Sequence, residues 1–416
     1  MDVRTTRLRD DIEANAEFGA VPVEEGRGRT VLTGTEADRR AREYLTERLR
    51  DAGLDVRVDA VGNVVGRWTP ASADPDAAPV AAGSHLDSVP EGGIFDGPLG
   101  VYAALEAVRA MRDAGVEPAR PVEVVSFTEE EGQRFDGGLV GSSVAAGDLA
   151  VEEALAIEDD DGVTLETALD GIDARGEGRV DAGDWRAWFE LHVEQAERLE
   201  RAGAPAGVVT TITGLSRCDV EIRGEANHAG STAMDERCDS LAAASEFVLD
   251  VESAANDVVA EESDTAVATV GKLDVRPNAP NVIADAVELT VDVRDVRHAS
   301  VDRIVDEARD SLARLEAERG VETSLDRPWD REPAPMSERC RDALHEAGAA
   351  AGIETLDLHS GAAHDTMHVA NVTDAALLFA PSEDGISHNP REWTDWEDCA
   401  AATRVLAGAM ARLATE

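Results

Sequence analysis

Between residues 80 and 146 the chain alternates short apolar runs with helical stretches, and this limits its fold more tightly than any other feature. Residues 80–83 form an apolar run, 99–114 carry helical spacing, 121–127 are rich in valine, and 139–146 start a second helix. Apolar runs without polar alternation belong to strands buried on both faces. The order strand, helix, strand, helix therefore predicts an α/β domain with a mixed, largely parallel sheet covered by helices. Ligands of such open sheets gather beyond the carboxyl ends of the strands. Upstream, Ala37, Ala41, Tyr44, Leu45 and Leu49 predict an amphipathic helix over 36–52 with Gly53 at its C-cap. Short strands are expected at 54–58 and 63–68.

Near Val208 the texture changes. Residues 219–223 and 287–294 alternate apolar with polar, and they are interleaved with helical stretches at 240–251 and 301–318. This is the signature of a small α+β insert. After about Pro328 a helix over 337–351 and an apolar strand over 374–380 follow. A chain of 416 residues exceeds what one growing core accommodates. The expected organisation is a catalytic domain in two segments, 1–211 and 327–416, interrupted by a lid over 212–326.

Charge excludes several function classes. There are 86 acidic residues against 39 basic ones, a net charge of −47, and Lys272 is the single lysine. Self-repulsion of this size is relieved by salt, which screens charges over about 8 Å at 0.15 M and about 3 Å at 1 M. A halophilic protein is expected, and neither nucleic acid nor an anionic membrane is a suitable partner. Cys218, Cys238, Cys340 and Cys399 are widely spaced without a Cys-x-x-Cys pair, so neither a disulfide framework nor a thiolate zinc site is indicated. No apolar stretch approaches 18 residues, and residues 1–11 are charged without an apolar signal core, which points to a cytoplasmic protein.

The chemistry sits in ordered motifs. Gly83-Ser84-His85-Leu86-Asp87, Phe95-Asp96-Gly97-Pro98 and Thr128-Glu129-Glu130-Glu131-Gly132 each follow a predicted strand or precede a predicted helix. Far downstream come Glu190-Leu191-His192-Val193-Glu194-Gln195 and Gly385-Ile386-Ser387-His388-Asn389-Pro390. Histidine and carboxylate suit zinc and manganese, and a carboxylate has two oxygens with which to bridge two ions. Singly, a histidine beside an apolar run is more often a core residue, and an acidic triplet in so acidic a chain is usually a solvated face.

In combination and in this order, the motifs resemble those of the hydantoinase/carbamoylase family of metal-dependent amidases, related to the aminoacylase-like metallopeptidases. The likeness runs from Gly62-Asn63 to Pro390. It implies a di-zinc exopeptidase-like catalytic domain with a lid that is also a dimerisation domain. It also implies two divalent metal ions, zinc or alternatively manganese or cobalt, held by His85, Asp96, Glu131, His192 and His388, with Asp96 as the bridge. Glu130 becomes the general base, Glu129 an extra surface carboxylate, and Asp87 the acceptor that orients the His85 imidazole. In the lid, His228 of Asn227-His228-Ala229-Gly230 is implied to stabilise the oxyanion. Asn281 and Arg294 are implied to bind a substrate carboxylate, which suits the planar fork of arginine, although Arg294 read alone is more often half of a salt bridge. Gln195, Gly361 and His364 complete the implied substrate contacts. His298, His345, His359 and His368 match no ligand position.

A ureido carbonyl is deactivated by two nitrogens, so its hydrolysis needs both an activated water and a polarised carbonyl, which divalent ions supply. The implied reaction cleaves the carbamoyl C–N bond of a small N-carbamoyl-L-amino acid or related ureido acid, giving ammonia, carbon dioxide and the amino acid. Leu215 stands where members acting on allantoate carry a glutamine, which favours a mono-carbamoyl substrate. Ala196, Ala233 and Ala363 also depart from the usual pattern, none of them at a ligand position. Allantoate hydrolysis, an N-acyl amino acid deacylase or peptidase activity, and a silent ligand-binding protein are the competing readings. The expected assembly is a homodimer.

Overall fold

The computed structural model describes residues 1–135 and 137–416. The chain divides into two compact units, 1–210 with 335–416, and 211–334.

In the first unit four parallel strands form the middle of the sheet, in the order Ala375–Ala380, Ala187–Val193, Val80–His85 and Val122–Phe127. Antiparallel strands extend it on one side, Val64–Trp68 and then Asp55–Val58, and Ala206–Ile212 extends it on the other. Burial of both faces follows from the sequence. Val80, Ala82, Val124 and Phe189 join one core with residues of the helices Thr5–Ala16, Pro98–Asp113 and Trp396–Thr415. The intervening Ala81, Val125 and Trp188 join another with Ala145 and Val369. Successive strand residues point to opposite faces, so a continuous apolar run is what such a strand requires.

The long helix Trp396–Thr415 buries its alanines, Val405, Leu406, Met410 and Leu413 around most of its circumference and leaves a narrow stripe with Glu397, Arg404 and Arg412 less covered. Among the described residues no helix is long and apolar enough to cross a membrane.

The second unit is a four-stranded antiparallel sheet in the order Val267–Arg276, Ala286–Asp295, Gly214–Arg223 and Glu322–Arg331. The helices Ser240–Glu261 and His298–Arg319 share an apolar core with Cys218, Val220 and Ile222 of the central strand. Gly214–Arg223 alternates buried with less buried residues, as a half-covered sheet demands. Pro328 does not end this unit, as its position suggests it should. The strand Glu322–Arg331 continues past an irregularity between Asp326 and Trp329, so a proline without an N–H interrupts the ladder without terminating it.

Candidate metal centre

The parallel strands end along one edge, and the motifs hang from those ends. His85 closes Val80–His85, and His192 is next to last in the adjacent Ala187–Val193. The two imidazoles are fully buried, with ring centroids 5.8 Å apart. Asp96, from the loop before Pro98–Asp113, reaches both. Its Oδ1 lies 3.5 Å from His85 Nε2 and 3.1 Å from His192 Nε2. Its Oδ2 lies 3.4 Å from His388 Nε2, which is itself 3.4 Å from Glu131 Oε2. Asp96 thus belongs to two groups that could hold a metal ion, His85–Asp96–His192 and Asp96–Glu131–His388, and His85, Glu130 and Glu131 form a third.

The proton positions show what these sets fit. His85 Nδ1 is 3.1 Å from the Asp87 carbonyl and His192 Nδ1 is 3.1 Å from the Val193 carbonyl. A carbonyl only accepts, so each Nδ1 carries a hydrogen; despite burial, the neighbouring carboxylates raise both rings above the usual imidazole range, which favours a second proton on Nε2, facing Asp96. A divalent cation would take the place of those Nε2 protons and give the Asp96 carboxylate a positive partner. His85 Nε2 and Glu131 Oε1 are both buried without a hydrogen-bond partner, as expected of atoms whose partner is a metal ion. The electrostatics agree. Burial works against the charge on Asp96, but His192, His388 and His85 hold its carboxyl well below the usual range. Glu131 is pushed up to about 7 by burial and by Asp96, and Glu130 is pushed well above its ordinary value by burial. His388 rises to about 9 beside Asp96 and Glu131. Crowded carboxylates in a dry site lack positive charge, which divalent cations supply.

The acidic triplet divides its labour through the backbone. Glu129 is not the surface carboxylate expected from the sequence. It is 1% exposed, adopts φ 55°, and its Oε1 accepts from the Arg134 and Phe135 N–H groups at 3.0 and 2.9 Å. Turning the loop in this way places Glu130 Oε2 3.8 Å from His85 Nε2. Gln195 and His388 are also left-handed, with φ 59° and 53°. Such conformations persist only where the surroundings impose them. Gly97, at φ 80°, is the close approach beneath His85, where a Cβ would lie 2.5 Å from His85 Cε1.

Residues 81–412 match the family model described as peptidase family M20/M25/M40. The chain belongs to that family. Among curated relatives, the N-carbamoyl-L-amino acid amidohydrolase of Geobacillus stearothermophilus is 40% identical over 94% of each chain. The allantoate amidohydrolase of Bacillus subtilis is 32% identical over 98% of this chain and 97% of that one. Among solved structures, a hydantoinase/carbamoylase family amidase from Burkholderia multivorans superposes with a TM-score of 0.93 at 37% identity, covering 100% of this chain and 99% of the other.

As an M20/M25/M40 member the chain brings His85, Asp96, Glu130, Glu131, His192 and His388 together. Other expected contacts are differently engaged. Asp87 meets the His85 ring through its backbone carbonyl, while its carboxylate stays 3.6 Å away because Oδ2 accepts from the Glu131 N–H at 3.1 Å. The Gln195 amide donates to Asp96 Oδ2 at 3.0 Å. His364 is buried, 4.5 Å from His192 between ring centroids, with Nε2 3.0 Å from Ser360 Oγ. Gly361 is exposed, and a Cβ there would meet nothing within 4 Å.

His228, Asn281 and Arg294 lie in the second unit. The exposed His228 accepts from the Gly230 N–H at Nδ1, 3.0 Å away, and the Ala229 N–H donates to the Asn281 carbonyl at 3.0 Å. Arg294 makes the salt bridge its sequence context suggests, to Asp292 at 2.7 Å.

Two buried polar residues behind the site have no role assigned to them from the sequence. Glu190 accepts from Ser84 Oγ at 2.7 Å and from the Thr366 N–H and Oγ1 at 3.0 and 2.7 Å, tying the His85 strand to the His192 strand and to the helix after His364. A carboxylate inside an otherwise apolar strand is itself a signal that could have found it. Arg29, fully buried, donates to the Leu86 carbonyl between His85 and Asp87, and nothing local in the sequence marks it.

Proposed function

We propose that the protein is a two-metal hydrolase of N-carbamoyl-L-amino acids, releasing ammonia, carbon dioxide and the free amino acid. The observation that carries this reading is the division of Asp96, with Oδ1 facing His85 and His192 and Oδ2 facing His388. The set His85, Asp96 and His192 would hold one ion, and Asp96, Glu131 and His388 the other. Zinc, manganese or cobalt bound there would polarise the ureido carbonyl and acidify water. Glu130 stands beside both sets and takes the proton from the attacking water, then returns it to the leaving nitrogen. The Gly230 N–H at His228 Nδ1 puts the ring hydrogen on Nε2, so His228 is a donor suited to the developing oxyanion. Asn281 and Arg294 would receive the substrate carboxylate, and Gly361 would offer a backbone contact to the substrate.

Leu215 lies directly across from Arg294 on one neighbouring strand and Arg331 on the other. Residues opposite one another on antiparallel strands share a face, so an apolar side chain occupies the position next to the proposed carboxylate-binding arginine. This favours a mono-carbamoyl acid over allantoate. The second unit supports a homodimer. Leu241, Leu249 and Val259 of one helix are exposed, as are Val267 and Leu273 of the edge strand Val267–Arg276, and an open strand edge beside apolar surface invites a second copy. The excess of acidic residues supports a cytoplasmic protein of a saline interior.

The deciding assay is chelator-sensitive ammonia release in molar KCl, with Mn²⁺ or Zn²⁺ added, from panels of N-carbamoyl-L-amino acids, allantoate, N-acetyl amino acids and dipeptides. Release from the carbamoyl panel is the expected result. Strong release from allantoate would reverse the weight placed on Leu215. Free amino acid from only the acetyl or dipeptide panels would make the protein a deacylase or peptidase.

A further inference from the structure

Asp96 and His388, two ligands of one proposed ion, lie far apart in the chain, and a buried carboxylate joins their segments. Glu392 is 2% exposed. Its Oε1 accepts from the backbone N–H groups of Phe95 and Asp96 at 2.9 and 3.0 Å. Its own N–H donates to the Asn389 carbonyl at 3.0 Å, closing the turn after His388. The neighbouring rings hold the same seam, with Phe95 5.4 Å from Trp393 and 5.1 Å from Trp396 between centroids. Space for the carboxylate is provided by Gly93, where a Cβ would lie 2.3 Å from Glu392 Oε1.

Ser387 adds a second connection. Its Oγ is 2.8 Å from Asp96 Oδ2 and 3.1 Å from Glu392 Oε2, and it accepts from the Gln195 amide at 3.3 Å. A hydroxyl has one hydrogen, so Ser387 can donate to Asp96 or to Glu392 but not to both. An ion at Asp96 Oδ2 competes with that hydroxyl for the same oxygen. Glu392 Oε2 gives the hydrogen an alternative acceptor when the ion is present.

We propose that Glu392 is the positioning residue for the Asp96–Glu131–His388 ion, fixing the Asp96 backbone and accepting the Ser387 hydrogen that the ion displaces. The inference rests on the two-metal reading above. Removing an outer partner of a metal ligand typically weakens binding 10- to 100-fold. Ion binding to the metal-stripped full-length protein is measured by calorimetry with Mn²⁺ or Zn²⁺ and by metal content after dialysis, with circular dichroism as the folding check. E392A is expected to weaken the Asp96–Glu131–His388 ion by roughly 10- to 100-fold and the ion at His85 and His192, which shares only Asp96 with it, by distinctly less. E392Q still accepts the two backbone N–H groups but cannot take the Ser387 hydrogen at its amide nitrogen, so it falls between wild type and E392A. Replacing Ser387 by alanine in the E392Q background removes the competing hydroxyl and restores part of the loss. G93A, which displaces the carboxylate without removing it, shifts affinity in the same direction as E392A.

Wild type binding two equivalents, with E392A matching both affinities, overturns the inference alone. Equal weakening of both ions overturns it too, because a general loss of structure has no reason to select one site. If E392A is recovered unfolded, wild-type affinities in both E392Q and G93A overturn it. Wild type binding fewer than two equivalents overturns the two-metal reading, and this inference with it.

Discussion

Replacing each member of the acidic triplet by glutamine separates three roles that adjacent residues play. Glu130→Gln keeps the size of the side chain and removes the proposed base. General acid–base catalysis contributes typically 10²- to 10⁴-fold, so kcat should fall by that factor, about 3 to 5 kcal/mol of barrier at 1.36 kcal/mol per decade, with both ions retained. Glu131→Gln removes a proposed ligand whose Oε2 lies 3.4 Å from His388 Nε2, so activity should fall together with metal content. Glu129→Gln preserves an oxygen for the Arg134 and Phe135 N–H groups. Burial pushes the Glu129 carboxyl up to about 7, so the neutral amide should cost no more than on the order of 1 kcal/mol of stability near neutral pH, and kcat should stay within about threefold because Glu129 points into its own turn. The assay pairs ammonia release with metal analysis of each purified variant. Glu130→Gln retaining activity within tenfold of wild type refutes the assignment of the base. Loss of turnover with full metal content in Glu129→Gln instead would move the base one residue upstream.

Four further outcomes are expected. Metal ions require a neutral His388, whose ring holds its proton up to about 9 in the metal-free protein. Binding at pH 7 should therefore release protons, and affinity should rise with pH up to about 9; calorimetry in two buffers of different ionisation enthalpy measures this, and zero proton release contradicts it. With 86 acidic and 39 basic residues, at least 86 − 39 = 47 carboxylates have no basic partner even at full one-to-one pairing, so the melting temperature should climb as KCl rises from dilute to molar; a flat profile removes the halophilic reading. Leu249→Asp, at a side chain 62% exposed, should yield monomers by light scattering if the apolar face of the second unit is covered by a second copy, and an unchanged mass places the dimer elsewhere. Leu215→Gln should raise kcat/KM for allantoate relative to N-carbamoyl amino acids, and no change in that ratio separates position 215 from specificity.

Much of the fold was legible because strands buried on both faces cannot hide their composition. The run Val80–His85 and the alternation of Gly214–Arg223 each state how many of their faces are covered. Charge balance, the absence of paired cysteine motifs and the order of the histidine and carboxylate motifs are likewise properties of the chain itself. The helix Trp396–Thr415 was missed, since most of its circumference is buried and a narrow stripe with Glu397, Arg404 and Arg412 marks its period.

What only the tertiary structure decided is which atoms of those motifs meet. Sequence names Asp96 as a carboxylate; pairing of the strands that end in His85 and His192, together with the return of the chain at His388, gives its two oxygens different partners. The triplet Glu129, Glu130 and Glu131 is chemically uniform, and a left-handed residue at 129 turns one carboxylate into the loop and leaves the others at the site. Asp87 serves through its carbonyl because its carboxylate is drawn to the Glu131 N–H. Glu190 and Glu392 hold segments brought together only by folding, at Ser84 and Thr366 and at Phe95 and Asp96. Residue types and their order constrain chemistry from the chain alone, whereas hydrogen-bond direction and the sharing of one carboxylate depend on ångström distances between distant segments, which exist only once the sheet has formed.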